Sequence, residues 1–281
     1  MKKIKSFDST HPLLYLIATP IGNLGEFSTR AIEVINDMDF IACEDTRNTK
    51  DLLQKFNINK RLVSLREHNE VEMSNYVINE IKNGKKVAYV SDAGYPAISD
   101  PGNILVKLAN ENDIAISVVS GSSAFINALV SSNLDTNHFY FYGFLPAKEG
   151  EAKKELESIK LLKDTVIFYE SPHRIEATIN LLLKELGNRK AVLHRELTKI
   201  NEEKIYGTLS ELASLDFSLI RGELVIVVEG NKLENAYSDT EIAIRVAYFV
   251  EKGLSKKDAI ELTSEVLGVK KNYIKDLIKW K

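Results

Sequence analysis

The stretch VAYVSDAGYPAISDPG, residues 87–102, runs from a short apolar segment straight into a loop of unusual composition. Residues 91–102 hold two glycines, two prolines and two aspartates in twelve positions. Proline restricts its own backbone and that of the residue before it, while glycine opens conformations that other residues avoid. The loop is therefore rigid and irregular, and it holds peptide N–H and C=O groups in fixed directions towards a ligand. Such a lining suits a neutral or zwitterionic partner that needs donors and acceptors together. Asp92 and Asp100 read as caps of the turns that follow them.

Working outward, the same strand-then-loop pattern recurs. Apolar runs at 13–19, 40–43, 61–65 and 114–119 join 87–91 as predicted strands, and helical patterns fall at 29–36, 46–56, 72–83, 103–110 and 123–131. Gly84 stands just past the third helix, where a left-handed residue is expected. Alternating strands and helices with nearly continuous apolar strands predict a parallel sheet covered on both faces. Ligands bind such sheets at the carboxyl ends of the strands. Two more of those ends carry small residues: ATPIGNLGE at 18–26 and SGSSA at 120–124, where Ser122 or Ser123 is placed to cap the next helix. Three loops thus converge on one edge. Neither a GxGxxG fingerprint nor a phosphate loop is present, which argues against a dinucleotide or a nucleoside triphosphate.

The second half is organised differently. Strands are predicted at 138–143, 165–169, 191–195, 204–207 and 223–228, with helices at 149–162 and 172–186. Ser171 and Pro172 look like the start of the latter helix and Gly187 like its end. Several strands follow one another without a helix between, so a mixed sheet is expected. Residues 238–281 are helical throughout, at 239–252, 256–267 and 270–280, with Ser255 and Asp258 resembling a capping box. This helix-turn-helix-like segment carries nine Lys/Arg against seven Asp/Glu, which fits a solvated face as well as a nucleic-acid contact. The expected division is an N-terminal α/β domain at 13–134, a second α/β domain at 135–231 and a small helical domain at 238–281.

Bulk properties bound the reading. The 281 residues exceed one ordinary core, and 44% hydrophobic with 27% charged residues is usual for a soluble protein. The single cysteine, Cys43, sits in an apolar run and reads as a buried thiol in a reducing compartment. No targeting or membrane segment is visible, so a cytoplasmic location is expected. A net charge of -3 argues against indiscriminate coating of nucleic acid and says nothing about a local basic surface.

Eight motifs occur in an order that is highly specific together: ATPIGNLGE, EDTR (44–47), EHNE (67–70), SDAGYPAISDPG, GFLP (143–146), ESPHR (170–174), RELTK (195–199) and RGELVIVVEG (221–230). On these residues the chain resembles the tetrapyrrole methylase superfamily, and within it the ribose 2′-O-methyltransferases of bacterial 16S ribosomal RNA. The resemblance covers roughly 13–230. It implies two α/β domains of the tetrapyrrole methylase type with S-adenosylmethionine held in the cleft between them, and a homodimer. It also implies methylation of a cytidine ribose in the decoding region, with 16S rRNA presented within the 30S subunit. Carried over by motif, cofactor contacts fall at Pro20, Ile21, Gly94, Tyr95, Pro96, Ile98, Ser99, Ser123, Ala124, Glu170 and Leu224. Three departures stand out: Tyr95 where a small residue is usual, Ser120 where proline is common, and Arg66 where histidine is frequent.

Methyl transfer is an in-line displacement, so alignment supplies much of the rate, at best about 7–11 kcal/mol. A ribose hydroxyl is a poor nucleophile and profits from a base. Glu44, Asp45, Glu170 and His173 are the candidates, with the base unassigned among them. Arg47, Lys50, His68, Arg174, Arg195 and Lys199 are candidate RNA contacts. Structural ion pairs are the competing role, Arg47 with Asp45 or Glu44, and Arg195 with Glu196 or Glu170. His194 lies in an apolar strand and reads as core, while His11 and His138 have no chemical company. No Cys/His spacing suggests a metal. A tetrapyrrole or diphthine-type methyltransferase on the same fold, a nicotinamide-dependent oxidoreductase, and a non-catalytic RNA-binding module for ribosome assembly are the rival readings.

Overall fold

A computed structural model describes residue 5 and residues 12–232, 237 and 239–279. His11, most of the expected boundary at 231–237 and the end of the last helix lie outside the described residues. Five strands, β1 (Leu13–Ile17), β2 (Phe40–Cys43), β3 (Arg61–Ser64), β4 (Val87–Val90) and β5 (Ala115–Val119), form one sheet in the order β3-β2-β4-β1-β5. Every pairing in it is parallel. Alternation along β2 shows why its strands are apolar throughout. Phe40 and Ala42 face one core, with Val77 and Ile81 of α3 (Glu70–Lys82) and Leu105 of α4 (Asn103–Glu111). Ile41 and Cys43 face the opposite core, with Ile35 of α1 (Thr29–Asp37) and Leu53 of α2 (Thr46–Lys55). Successive side chains point to opposite faces, and both faces are covered.

The second sheet is mixed. Strands β6 (Phe139–Phe144), β7 (Thr165–Glu170), β8 (Lys190–Arg195), β9 (Glu203–Thr208) and β10 (Leu224–Val228) lie in the order β6-β7-β10-β8-β9. The β6–β7 pair is parallel and the other three pairs are antiparallel. Val166 and Phe168 of β7, with Ile226 of β10, pack on Leu156 of α6 (Glu149–Ile159) and Ile179 and Leu182 of α7 (Ile175–Leu186). The short α8 (Leu209–Leu212) closes this layer.

The other face of the second sheet is covered from the first half of the chain. Ala128 and Leu129 of α5 (Ala124–Val130), together with Ile21, form one core with Ile167, Val225 and Val227. The helix that follows the last parallel strand is thus the floor of the second sheet, and it joins the two halves of the chain in one core. Helix α7 begins at Ile175, later than the sequence suggests, because residues 172–174 form a turn; its end at Gly187 (φ 81°) is as expected.

The terminal helices α9 (Asp239–Glu251), α10 (Lys256–Leu267) and α11 (Lys271–Lys279) bury Ile242, Val246, Ile260 and Ile274 among themselves. The Ser255 hydroxyl caps α10 by accepting from the Asp258 N–H at 3.2 Å. Among the described residues no helix is long and apolar enough to cross a membrane.

Candidate active site

Because β1 lies between β4 and β5, the loops leaving these three strands are neighbours. The 91–102 loop is pinned from several sides. Thr19 and Gly94 exchange backbone hydrogen bonds of 2.9 and 3.1 Å. Glu70 of α3 accepts from the N–H groups of Gly102 and Ile104 at 2.8 and 3.0 Å. The Tyr89 hydroxyl donates to Pro101 O at 2.8 Å. Ala97 and Ser99 hold left-handed backbone (φ 66° and 62°), a conformation that L-residues keep only when their surroundings enforce it. Glycine is required at 102, where φ is 131° and a Cβ would come within 2.7 Å of the Tyr89 ring. A Cβ at Gly94 would meet Ile21 at an unremarkable 3.5 Å, so there the constraint is the backbone (φ 76°) rather than crowding.

Asp92 does not cap a turn of its own loop. Its carboxylate accepts from the Asp45 N–H at 3.1 Å and the Asn48 amide at 2.7 Å, tying the loop to the start of α2. Tyr95 explains how a large residue fits a small-residue position: its hydroxyl reaches the next loop and accepts from the Gly121 N–H at 3.2 Å. Ser123 stands at the N-cap position of α5 without a side-chain bond, and Ser122 instead donates to Glu26 at 2.5 Å.

Between this loop and the second sheet lies a cavity of about 340 Å³. Nine of the eleven residues expected to touch a cofactor line it: Ile21, Gly94, Tyr95, Ile98, Ser99, Ser123, Ala124, Glu170 and Leu224. Pro20 and Pro96 do not line it. The far wall adds Phe144, Tyr169, Glu223 and Val225, and the loop adds Asp100. The composition is informative. Among the described residues, three carboxylates line the space, Asp100, Glu170 and Glu223, and no lysine, arginine or histidine does. Phosphate would be repelled, whereas a cation with an apolar body would be accepted.

The carboxylates differ sharply. Glu170 is 3% exposed and fully engaged. It accepts from the Ser171 N–H (2.7 Å) and the Thr178 hydroxyl (2.6 Å), and its charge lies 3.4 Å from Arg174. Arg174 also donates to the carbonyls of Leu145 and Pro146, so ESPHR and GFLP are fastened together. Its partners are therefore protein groups. Glu223 pairs with Lys199 at 3.1 Å on the cavity rim. The Asp100 carboxyl is pushed up to about 6 by burial and by the neighbouring charges of Glu44 and Asp92, against a hydrogen bond from Ser91. His173 lines a separate cavity of about 420 Å³, with Pro146, Arg174 and Lys184.

At the end of β2, Glu44, Asp45, Arg47 and Arg66 come together. Asp45 is held well below the usual carboxylate range by hydrogen bonds from Arg47, and Arg66 lies 3.2 Å from it. Glu44 is raised by burial and the Asp92 charge. Arg66 also donates to Glu44 O at 3.1 Å, an organising role for the residue that departs from the usual histidine. Arg47, Lys50 and His68 are exposed. Arg195 pairs with neither expected partner: Glu203, across the β8–β9 ladder, lies 3.4 Å away. Lys199 pairs with Glu196 and Glu223, and its stem covers Gly22. His194 is fully buried, with burial pushing its pKa down to about 4, and Cys43 is a buried free thiol raised to about 11.

The model of the Tetrapyrrole (Corrin/Porphyrin) Methylases matches residues 13–213, and the chain belongs to that family. Within it, the chain is 42% identical to Ribosomal RNA small subunit methyltransferase I of Halalkalibacterium halodurans, over 93% of this chain and 92% of the relative. Identity to the Bacillus subtilis protein of the same name is 40%, over 94% and 93%. A crystal structure of diphthine synthase superposes with a TM-score of 0.59 at 15% identity, covering 77% of this chain and 89% of that one, which shows the shared fold.

Proposed function

We propose that this chain is an S-adenosylmethionine-dependent methyltransferase that methylates the ribose 2′-hydroxyl of a cytidine in 16S ribosomal RNA, in the decoding region of the 30S subunit. The observation that carries the cofactor reading is the cavity between the sheets, with carboxylates and apolar walls and, among the described residues, no cationic side chain. A sulfonium cofactor is a cation carrying a zwitterionic tail and an apolar ring, and this donor set fits it. Bound there, it supplies an electrophilic methyl group. Ile21, Ile98, Ala124, Leu224 and Val225 offer apolar contact, and the Gly94–Ser99 backbone presents polar groups. Phe144 and Tyr169 add aromatic surface on the far side. The pinned, left-handed backbone of the loop keeps these contacts in place without reorganisation.

The substrate reading rests on the names of the relatives, which align over nearly the whole chain. Exposed Arg47, Lys50 and His68 are the proposed RNA-facing groups, while Arg174, Arg195 and Lys199 act mainly through ion pairs within the protein. A cytoplasmic homodimer is part of the same proposal. The test combines calorimetry with S-adenosylmethionine and incubation of 30S subunits from a strain lacking the modification with labelled cofactor, followed by nucleoside mapping. Binding and label on one cytidine ribose are expected. Cofactor binding without label on ribosomal RNA would overturn the substrate, and absence of binding would overturn the enzyme reading.

A further inference from the structure

The base candidates read from the sequence, Glu44, Asp45, Glu170 and His173, can be weighed against the carboxylates that line the cavity. Three carboxylates reach the cavity. Glu170 is excluded because its lone pairs are committed to Ser171, Thr178 and Arg174 inside the protein. Glu223 is excluded because it is an exposed rim residue already paired with Lys199. Of the other candidate groups, His173 opens on a different cavity, and Asp45 is locked by Arg47. Glu44 and Asp45 do not line the cavity.

We propose that Asp100 is the general base: one of its carboxylate oxygens accepts the proton of the ribose 2′-hydroxyl as that oxygen forms its bond to the methyl carbon. This rests on the methyltransferase reading above. The step balances simply. The O–H bond breaks towards Asp100, the O–CH₃ bond forms, and the electron pair of the broken S–CH₃ bond stays on sulfur, so no co-reactant is needed.

The surroundings of Asp100 suit the task. It sits at the end of the strained 97–99 segment, whose backbone is fixed by Ala97 N–H donating to Pro101 O at 3.2 Å and by Glu70 holding Gly102. Its side chain is therefore aimed by a rigid support. The ionisable groups around it come from every adjoining element: Glu44 at the end of β2, Tyr89 of β4, Asp92 in its own loop, and Tyr169 of β7 across the cavity. None of these is a cation, and Glu44 and Asp92 raise its proton affinity. A carboxylate raised to about 6 is ionised at neutral pH and is yet a stronger base than a free one. Glu44 acts as a positioning residue for this chemistry through its charge, tuning Asp100 rather than touching substrate.

The test uses the full chain, with Asp100→Asn and Glu44→Gln. In Asp100→Asn, cofactor affinity by calorimetry should fall by no more than about tenfold, for the loss of one lining charge, while single-turnover methylation of 30S subunits at saturating cofactor falls by about 100-fold or more. The unmodified enzyme should lose rate below about pH 6, and this acid limb should vanish in Asp100→Asn. Glu44→Gln removes a like charge, so the limb should move to lower pH. A readout independent of turnover is the ¹³C carboxyl signal of Asp100 in the ligand-free chain, expected to titrate near 6 and to move down in Glu44→Gln. Three results would overturn the assignment: titration at the ordinary aspartate value, affinity falling as far as rate, or a rate for Asp100→Asn close to that of the unmodified chain. An unmodified chain that binds cofactor and labels no RNA would sink the substrate reading and this role together. Activity retained by Asp100→Asn would sink this role alone.

Discussion

The two walls of the cavity between the sheets are built on opposite plans. The wall from the first sheet is a backbone scaffold, in which Thr19, Glu70 and Tyr89 hold the 91–102 loop and, among the described residues, leave Asp100 without a cationic partner. The wall from the second sheet is a side-chain scaffold, in which Glu170, Thr178 and Arg174 satisfy one another and fasten the carbonyls of Leu145 and Pro146. Both walls present a carboxylate. A carboxylate whose hydrogen bonds are complete holds structure together, whereas one left short of donors and crowded by like charge is available for chemistry.

The sharpest way to break this contrast is Glu170→Gln. It removes the charge facing Arg174 and weakens a bond to Thr178 in a site that is 3% exposed. Losing one partner of a buried pair is costly, and with Arg174 partly solvated the expected loss is about 3 kcal/mol in urea unfolding. A loss below about 1 kcal/mol would show that the network does not support the wall.

On the opposite wall the expected sign reverses. The folded pKa of Asp100 lies above its unfolded value, so its contribution to stability is present in full below the unfolded pKa and is lost as pH rises through about 6. Asparagine carries no such penalty. Asp100→Asn should therefore melt about 3 °C higher than the unmodified chain at pH 8, allowing for the partial solvation of this carboxyl, and the gap should close below about pH 4. A thermal shift series across pH checks this, and a variant less stable at pH 8 would contradict it.

The smallest effect is expected for Tyr95→Phe. It deletes the hydroxyl that accepts from the Gly121 N–H in a site open to solvent, so about 0.5 kcal/mol of stability and less than threefold in cofactor affinity should be lost. A larger loss of affinity by calorimetry would place the Tyr95 hydroxyl on the ligand rather than on the loop.

Much of the fold could be read directly from residues. The strands of the first sheet are apolar in unbroken runs, and β2 shows why: Phe40 and Ala42 serve one core, Ile41 and Cys43 the other. The three loops converge because the strands before them are adjacent, and glycine at 94 and 102 marks where backbone turns left-handed. The start of α7 was less legible, because Ser171 and Pro172 have capping chemistry but the Ser171 hydroxyl lies 3.4 Å from the Glu170 carboxylate and the Arg174 N–H closes a turn on Ser171 O before the helix begins. Arg195 illustrates the same difficulty. Its partner, Glu203, is opposite it on the neighbouring strand, and register across an antiparallel pair is not visible in nearby sequence.

The sequence by itself determined the alternation of strand and helix, the mixed second half, the rigid loop, and a family resemblance carried by ordered motifs. Each of these is local, set by side-chain periodicity, by the dihedral preferences of glycine and proline, or by residue order. Tertiary structure alone settles which carboxylates are committed to protein groups and which faces the cavity among like charges. Asp100, late in the loop after β4, and Glu170, the last residue of β7, look alike as acidic residues in motifs. Their difference arises from groups brought to them by folding: Glu44 and Asp92 beside one, Thr178 and Arg174 beside the other. Proton affinity is a sum over those neighbours and over excluded water, so it belongs to the assembled site.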